Sequence, residues 1–150
     1  MRQRRSWLLP ASLCCLAVGL SASCSTPAGP TPVDCTRTIL ATGSRVLAPN
    51  VRDTASITTP ATGRLEVTVD WVVALDFVSV ALAPAPCSVD QLQNSACDVL
   101  FSQISPPKPL VNSTSLLRPG TYTLIVANLN PTPESVSTQV VLVSAGCPAS

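Results

Sequence analysis

The sequence predicts an all-β domain, an antiparallel sandwich of about seven strands, preceded by a signal peptide and a Pro-rich tether. Three observations predict it. Several short stretches alternate apolar and polar residues with period two, the pattern of a strand with one buried face. Pro, Gly and Asn punctuate these stretches, with 15 prolines in 150 residues, and no long run of helical period separates them. Hydrophobic residues make up 46% of the chain and charged residues 11%, a balance that suits a buried core and not a disordered chain.

The chain opens on a basic patch, Met1-Arg2-Gln3-Arg4-Arg5. Trp7 to Leu20 is largely apolar, and Ser21, Ala22 and Ser23 are small. These three regions in this order make a secretory signal peptide, residues 1–23. The apolar run of about 14 residues is shorter than the roughly 20 that a membrane-spanning helix needs. Leu20-Ser21-Ala22-Ser23-Cys24 resembles the lipobox of bacterial lipoproteins. The resemblance implies cleavage before Cys24, acylation of that cysteine (palmitate among the chains) and anchoring to the cell membrane or outer membrane. The sequence departs from the family pattern at Ser21, where Leu is usual. Ordinary secretion, with Cys24 left as a spare thiol, is the alternative. Residues 24–34 then form the anchor and linker. Ser25 to Pro32 reads STPAGPTP, a composition that favours extended, polyproline-like conformations and makes a spacer. Loss of Arg2, Arg4 and Arg5 with the leader turns the formal charge of +1 into −2. No basic patch remains to suit nucleic acid.

The folded domain is expected over residues 35–147. Arg37 to Leu47 and Ala55 to Thr59 are its first strand candidates. Thr59-Pro60-Ala61-Thr62-Gly63 makes a turn before the clearest alternation of all. There Leu65, Val67, Val69 and Trp71 share one face, and Glu66, Thr68 and Asp70 share the other. Asp76 to Ala83, DFVSVALA, is rich in β-branched and aromatic residues. Val89 to Ala96 is a helix candidate of one or two turns, opened by Ser88 or Asp90 as caps. Asp98 to Gln103 is a further strand candidate. Thr121 to Leu129, TYTLIVANL, enters through Arg118-Pro119-Gly120, and Ser135 to Ser144 reads SVSTQVVLVS. Asn128-Leu129-Asn130-Pro131-Thr132-Pro133 reads as a hairpin loop between these last two strands.

From about Asp53 to Leu142, the runs TGRLEVTVDW, DFVSVALA, PGTYTLIVANLN and VSTQVVL resemble bacterial prepeptidase C-terminal (PPC-like) β-sandwich domains. The resemblance implies that the Gly-Thr-Tyr strand pairs with the final strand. It also implies a secreted accessory or interaction module, and it carries over no catalytic residue. Cys87 and Cys97, which bracket a loop, depart from the pattern.

Of seven cysteines, Cys14 and Cys15 fall in the leader. Cys24, Cys35, Cys87, Cys97 and Cys147 remain, an odd number that lipidation of Cys24 makes even. Four cysteines allow three pairings. The nested arrangement, Cys35–Cys147 with Cys87–Cys97, is favoured, because a local loop closes readily and the termini of a sandwich can lie close together. Disulfides of this kind suit an oxidising compartment. A Cys₄ zinc site is opposed by the lack of histidine and of any Cys-x-x-Cys pair.

The chemistry available is narrow. The chain has no histidine, so Ser-His-Asp and Cys-His catalysis are excluded. Lys108, the sole lysine, sits in Ser105-Pro106-Pro107-Lys108-Pro109, an irregular loop poorly suited to hold a desolvated base. Glu66, Asp70 and Asp76 could together bind calcium, act as an acid/base pair or simply solvate an outer face. Trp71, Phe77, Phe101 and Tyr122 are the aromatics beyond the leader. Trp71 and Tyr122 run in phase with apolar neighbours, which argues against a flat aromatic platform for sugars.

Two classes of function follow. The first is a non-catalytic surface or periplasmic lipoprotein that binds a protein or glycan partner in the cell envelope, or serves structurally. The second is a carboxylate-dependent hydrolase or a calcium-dependent carbohydrate-binding module. The missing histidine and sparse polar clustering favour the first, with no cofactor. Recognition is expected on loops at one sandwich end, with the Cys87–Cys97 loop the first choice.

Overall fold

The computed structural model describes residues 34–104 and 108–148. The expected signal peptide, Cys24 and the expected STPAGPTP linker lie outside these residues. Eight strands are described: β1 (Arg37–Leu47), β2 (Arg52–Thr59), β3 (Gly63–Trp71), β4 (Val78–Pro84), β5 (Phe101–Ile104), β6 (Leu110–Ser113), β7 (Gly120–Asn128) and β8 (Glu134–Ser144). One short helix, α1 (Val89–Gln93), falls between β4 and β5. The strands form two four-stranded sheets, β1-β8-β3-β6 and β2-β7-β4-β5. Every pairing is antiparallel, and the protein is an all-β sandwich.

Alternation explains the core. Leu65, Val67, Val69 and Trp71 of β3 point inward and are buried. They meet Val78, Val80 and Leu82 of β4 and Tyr122, Leu124 and Val126 of β7 in one cluster with Val136, Val140 and Leu142 of β8. Each such side chain contributes about 1.5–3 kcal/mol on leaving water. Trp71 and Tyr122 are core residues, and Tyr122 Oη donates to Arg118 O at 2.7 Å.

The structure corrects several expectations. The strand count rises to eight because β6 is a separate four-residue edge strand, paired with β3 from Glu66↔Ser113 to Val69↔Leu110. It follows a proline-rich stretch and is too short for alternation to reveal. The last two strands do not form a hairpin. β7 pairs with β2 and β4, and β8 pairs with β1 and β3, so the pairing implied by the PPC-like resemblance does not occur. The two strands bury their apolar phases toward one core from opposite sides. The crossing between them is held by Asn128, fully buried, whose Nδ2 donates to Leu47 O at 3.1 Å, Ala48 O at 3.2 Å and Thr132 O at 2.7 Å. The strand expected from Asp76 begins at Val78, because Asp76 N closes a turn onto Val73 O at 3.0 Å. The helix stops at Gln93, with a capping box at its start: Gln91 N donates to Ser88 Oγ and Ser88 N to Gln91 Oε1.

The outer faces are partly covered. Ala81, Ala83 and Ile125, on the outside of the β2-β7-β4-β5 sheet, pack against Cys87, Val89, Leu92 and Cys97. On the other sheet Val141 and Val143 pack with Cys147. Gly63 lies so close to β8 that a Cβ there would sit 2.5 Å from Val143 O. Strand direction sorts the loops into two ends. One end carries Asp34, Pro148 and the 60–62 and 114–119 connections. The other carries the 48–51, 72–77 and 129–133 loops, with the end of β5 and the start of β6.

Candidate functional site

The three carboxylates singled out by sequence go to separate partners. Glu66 accepts from both Arg37 Nη1, at 3.2 Å, and Arg37 Nη2, and Arg64 Nε lies 3.5 Å from it. Hydrogen bonds from Arg37 hold the Glu66 pKa below the ordinary carboxylate value, against the opposing effect of desolvation. Asp70 pairs with Lys108 Nζ at 3.2 Å. Asp76 lies against Glu134 instead. Among the described residues, no three His, Cys, Asp or Glu side chains gather as a metal-ligand set. Two residues apart on one strand face, Glu66, Thr68 and Asp70 are spread along β3, and the turn at Asp76 carries the third acid away from both.

Lys108 is more engaged than its Pro-rich setting suggests. Its Nζ also donates to Val72 O at 3.4 Å and lies 5.9 Å from the centroid of the Trp71 ring. The ion pair and the carbonyl together fix this cation over the end of β3.

The disulfides join Cys35 to Cys147, with Cα atoms 4.6 Å apart, and Cys87 to Cys97, with Cα atoms 6.0 Å apart. This is the nested arrangement. Arg64 adds to the first, donating to Cys147 O at 3.3 Å and Pro148 O at 2.6 Å. The Cys87–Cys97 segment does not project as a free loop. Its apolar residues pack onto the outer face of β4 and β7, so the bridge staples α1 to the sheet.

The surface that stands out is the opposite end. Leu75 is 88% exposed and Val72 71% exposed, and Val51, Val73, Phe77 and Leu129 are exposed beside them. These six apolar side chains rim the loops at 48–51, 72–77 and 129–133. Exposed apolar patches of this kind mark interaction surfaces. The main chain beneath is held by buried polar groups. Asn130 Oδ1 accepts from Phe77 N at 2.9 Å and its Nδ2 donates to Phe77 O at 3.1 Å. Asn128 Oδ1 accepts from both Asn130 N and Asn130 Nδ2, each at 2.9 Å. Glu134, 1% exposed, accepts from Val72 N at 2.9 Å and Val73 N at 3.3 Å. The rim is therefore presented on a preorganised frame, which lowers the ordering cost of binding.

Sequence reasoning missed Asn128, Asn130 and Glu134, and the rim they support. One signal was available. Val72-Val73-Ala74-Leu75 continues apolar where the alternation of β3 has ended, with no strand face left to bury it.

A shallow polar trough crosses the outer face of the β1-β8-β3-β6 sheet, lined by Thr42, Ser44, Thr68, Asp70, Ser137 and Gln139. It holds hydroxyls and one carboxylate, with Asp70 already paired to Lys108 at its margin. No dry, preorganised cluster of the kind catalysis needs lines it.

No protein-family model matches the sequence, and no curated protein matches it. Solved structures do. The pre-peptidase C-terminal domain of a collagenase from Bacillus anthracis aligns with TM-score 0.53 and 10% identity, over 69% of this chain and 90% of that one. The Yersinia pseudotuberculosis-derived mitogen aligns with TM-score 0.52 and 12% identity, over 76% and 100%. A periplasmic inhibitor of g-type lysozyme from Aeromonas hydrophila aligns with TM-score 0.47 and 12% identity, over 69% and 85%. At these identities the first two likenesses show a shared β-sandwich fold, the PPC-like fold among them, and nothing of activity.

Proposed function

We propose that this chain is an exported, non-catalytic lipoprotein, anchored through acylated Cys24, whose sandwich binds a protein partner with an apolar cleft. The observation that carries the reading is the apolar rim of Val72, Val73, Leu75, Phe77 and Leu129 on a hydrogen-bonded frame. The rim lies at the end of the sandwich opposite the Cys35–Cys147 bridge. Charge favours a protein over an anionic lipid surface, since Lys108 is paired with Asp70, and Asp76 and Glu134 flank the loop. The two disulfides suit an extracytoplasmic site.

Crosslinking in the intact envelope tests the docking role. The wild-type chain is expected to form a discrete crosslink to one protein, and a Leu75→Ser/Phe77→Ser variant to lose it. Both side chains are exposed, so stability should change by no more than about 0.5 kcal/mol per site. A crosslink indifferent to both substitutions overturns the reading. The anchor is tested apart from it: Cys24→Ser should abolish labelling by palmitate and release the protein from membranes. Retention of the variant in membranes overturns the lipid anchor alone.

A further inference from the structure

Two charges face the core side of the sandwich. β1 ends one sheet and β2 ends the other. Arg45 lies opposite Val136 of β8, and Asp53 lies opposite Val126 of β7. Residues opposite each other on neighbouring strands share a face, and both valines belong to the core. Arg45 and Asp53 therefore point inward, and they pair with each other across the seam between the sheets. Beneath the pair is a hollow of about 280 Å³, open mouth included, lined by Leu47, Ala55, Leu124, Val126, Val136 and Thr138. Its floor is the buried apolar core itself, and none of the exposed rim side chains lines it. Gly43 adds a second observation. It sits inside β1 opposite Thr138, two residues from Arg45 and on the same inward phase. It has no left-handed φ, and a Cβ there would meet only Thr138 Oγ1 at 3.8 Å and Arg45 Nη2 at 4.0 Å. Neither a turn nor close packing calls for glycine at this position. A strand-interior glycine weakens a strand, and it often marks a place where a ligand comes close. Here the missing side chain leaves space beside the guanidinium.

We propose that this hollow binds a monocarboxylate with a short saturated chain, the carboxylate on Arg45 and the chain against the core floor. An apolar lining with one oriented polar group is the make-up of a small-molecule site. The planar guanidinium matches a carboxylate and can donate to both of its oxygens. Asp53 already occupies that place on Arg45 and so acts as the gate. Its side chain is 30% exposed and that of Arg45 45% exposed. Ion pairs so open to water stabilise little, so a ligand carboxylate displaces Asp53 at small cost. The displaced Asp53 keeps a partner, because its Oδ1 accepts from Thr54 N at 2.9 Å. The site is independent of the lipid anchor and of the docking rim, and its test needs neither.

Hexanoate is the probe, and hexylamine carries the same chain under the opposite charge. Each is titrated into the full chain at neutral pH while the methyl groups of Leu124, Val126 and Val136 are followed by carbon–proton correlation NMR. Saturable shifts at these methyls are expected with hexanoate and none with hexylamine. Arg45→Gln should weaken hexanoate binding by at least about tenfold, the effect of losing a charged hydrogen-bond partner. Asp53→Asn should tighten it, because the competing carboxylate is gone while the amide oxygen still accepts from Thr54 N. Gly43→Val should abolish it by filling the space beside the guanidinium. Arg45 and Asp53 are both open to solvent, so their variants carry the test even if Gly43→Val does not fold. Shifts that do not saturate, equal shifts with hexylamine, or hexanoate affinity unchanged in Arg45→Gln overturn the site. An ion pair that only keeps the two edge strands from pairing with other chains would leave the methyls unmoved by hexanoate. Weaker binding in Asp53→Asn also overturns the proposal, since Asp53 would then be a brace for the hollow and not its gate.

Discussion

Glu66 on β3 accepts both terminal N–H groups of Arg37 on β1, reaching across the intervening strand β8. Beneath this bridge lie Val141 and Val143, outward-facing on β8 yet buried with Cys147. The ion pair, with Arg64 beside it, is the lid that lets a sheet keep two valines on its outer face. Long cationic side chains cover apolar surface in this way while their heads stay polar.

This pairing depresses the Glu66 pKa, and the sign of its pH effect follows. A depressed carboxyl contributes stability above its unfolded pKa, and that contribution is lost as pH falls through the folded value. The thermal midpoint of the wild type should therefore drop on acidification below the usual glutamate range. Glu66→Gln should have a lower midpoint at neutral pH and a shallower drop. Parallel acid limbs in the two proteins, followed by circular dichroism, would show that Glu66 does not carry the effect.

The two bridges should differ in weight. In the chain-entropy view, the cross-link over a sequence separation of 112 removes more unfolded freedom than the one over 10. Cys35→Ser/Cys147→Ser should cost about 5 kcal/mol and Cys87→Ser/Cys97→Ser about 3 kcal/mol. Denaturant titration of both variants gives the order, and the reverse order would mean that packing of α1 on the sheet outweighs chain entropy.

Gly63→Ala should destabilise by about 1–3 kcal/mol, as overpacking does. The new Cβ would meet the Val143 carbonyl at 2.5 Å, which is main chain and can move only with β8. A variant as stable as the wild type in chemical unfolding would show that the two strands can separate at this point without loss.

Asn128→Ala should be the most damaging single change at the loop end. It leaves the Leu47, Ala48 and Thr132 carbonyls and both Asn130 donors without that partner. Each orphaned buried group costs roughly 1–3 kcal/mol. The protein should lose at least that much stability and, if it folds, lose exchange protection at Phe77 N through displaced Asn130. Normal protection at Phe77 with intact stability would mean that Asn130 holds the loop unaided.

Much of the sandwich was legible in the chain itself. Leu65 to Trp71 announced a strand with one buried face, and the structure buries that phase. The turn at Thr59 to Gly63 and the capping Ser88 were equally local signals. Where legibility failed, the missing information was long-range. Leu110 to Ser113 becomes a strand because the outer edge of β3 accepts it, not because four residues carry a period. Asn128 to Pro133 has the composition of a hairpin loop, yet it carries the chain from one sheet to the other.

The candidate site divides the same way. Glu66, Asp70 and Asp76 were recognisable as acids near one another in sequence. Their partners Arg37, Lys108 and Glu134 lie 29, 38 and 58 residues away in the chain, and no local pattern links them. By itself the sequence determined an all-β domain, the inward phase of its principal strands and the absence of histidine chemistry. The tertiary structure alone decided which strands share a sheet, which partner each acid meets, and which loops gather Leu75, Phe77 and Leu129 into one rim. The physical reason is that period-two burial is a property of each strand alone, whereas pairing and loop assembly are set by contacts between segments that the chain keeps far apart.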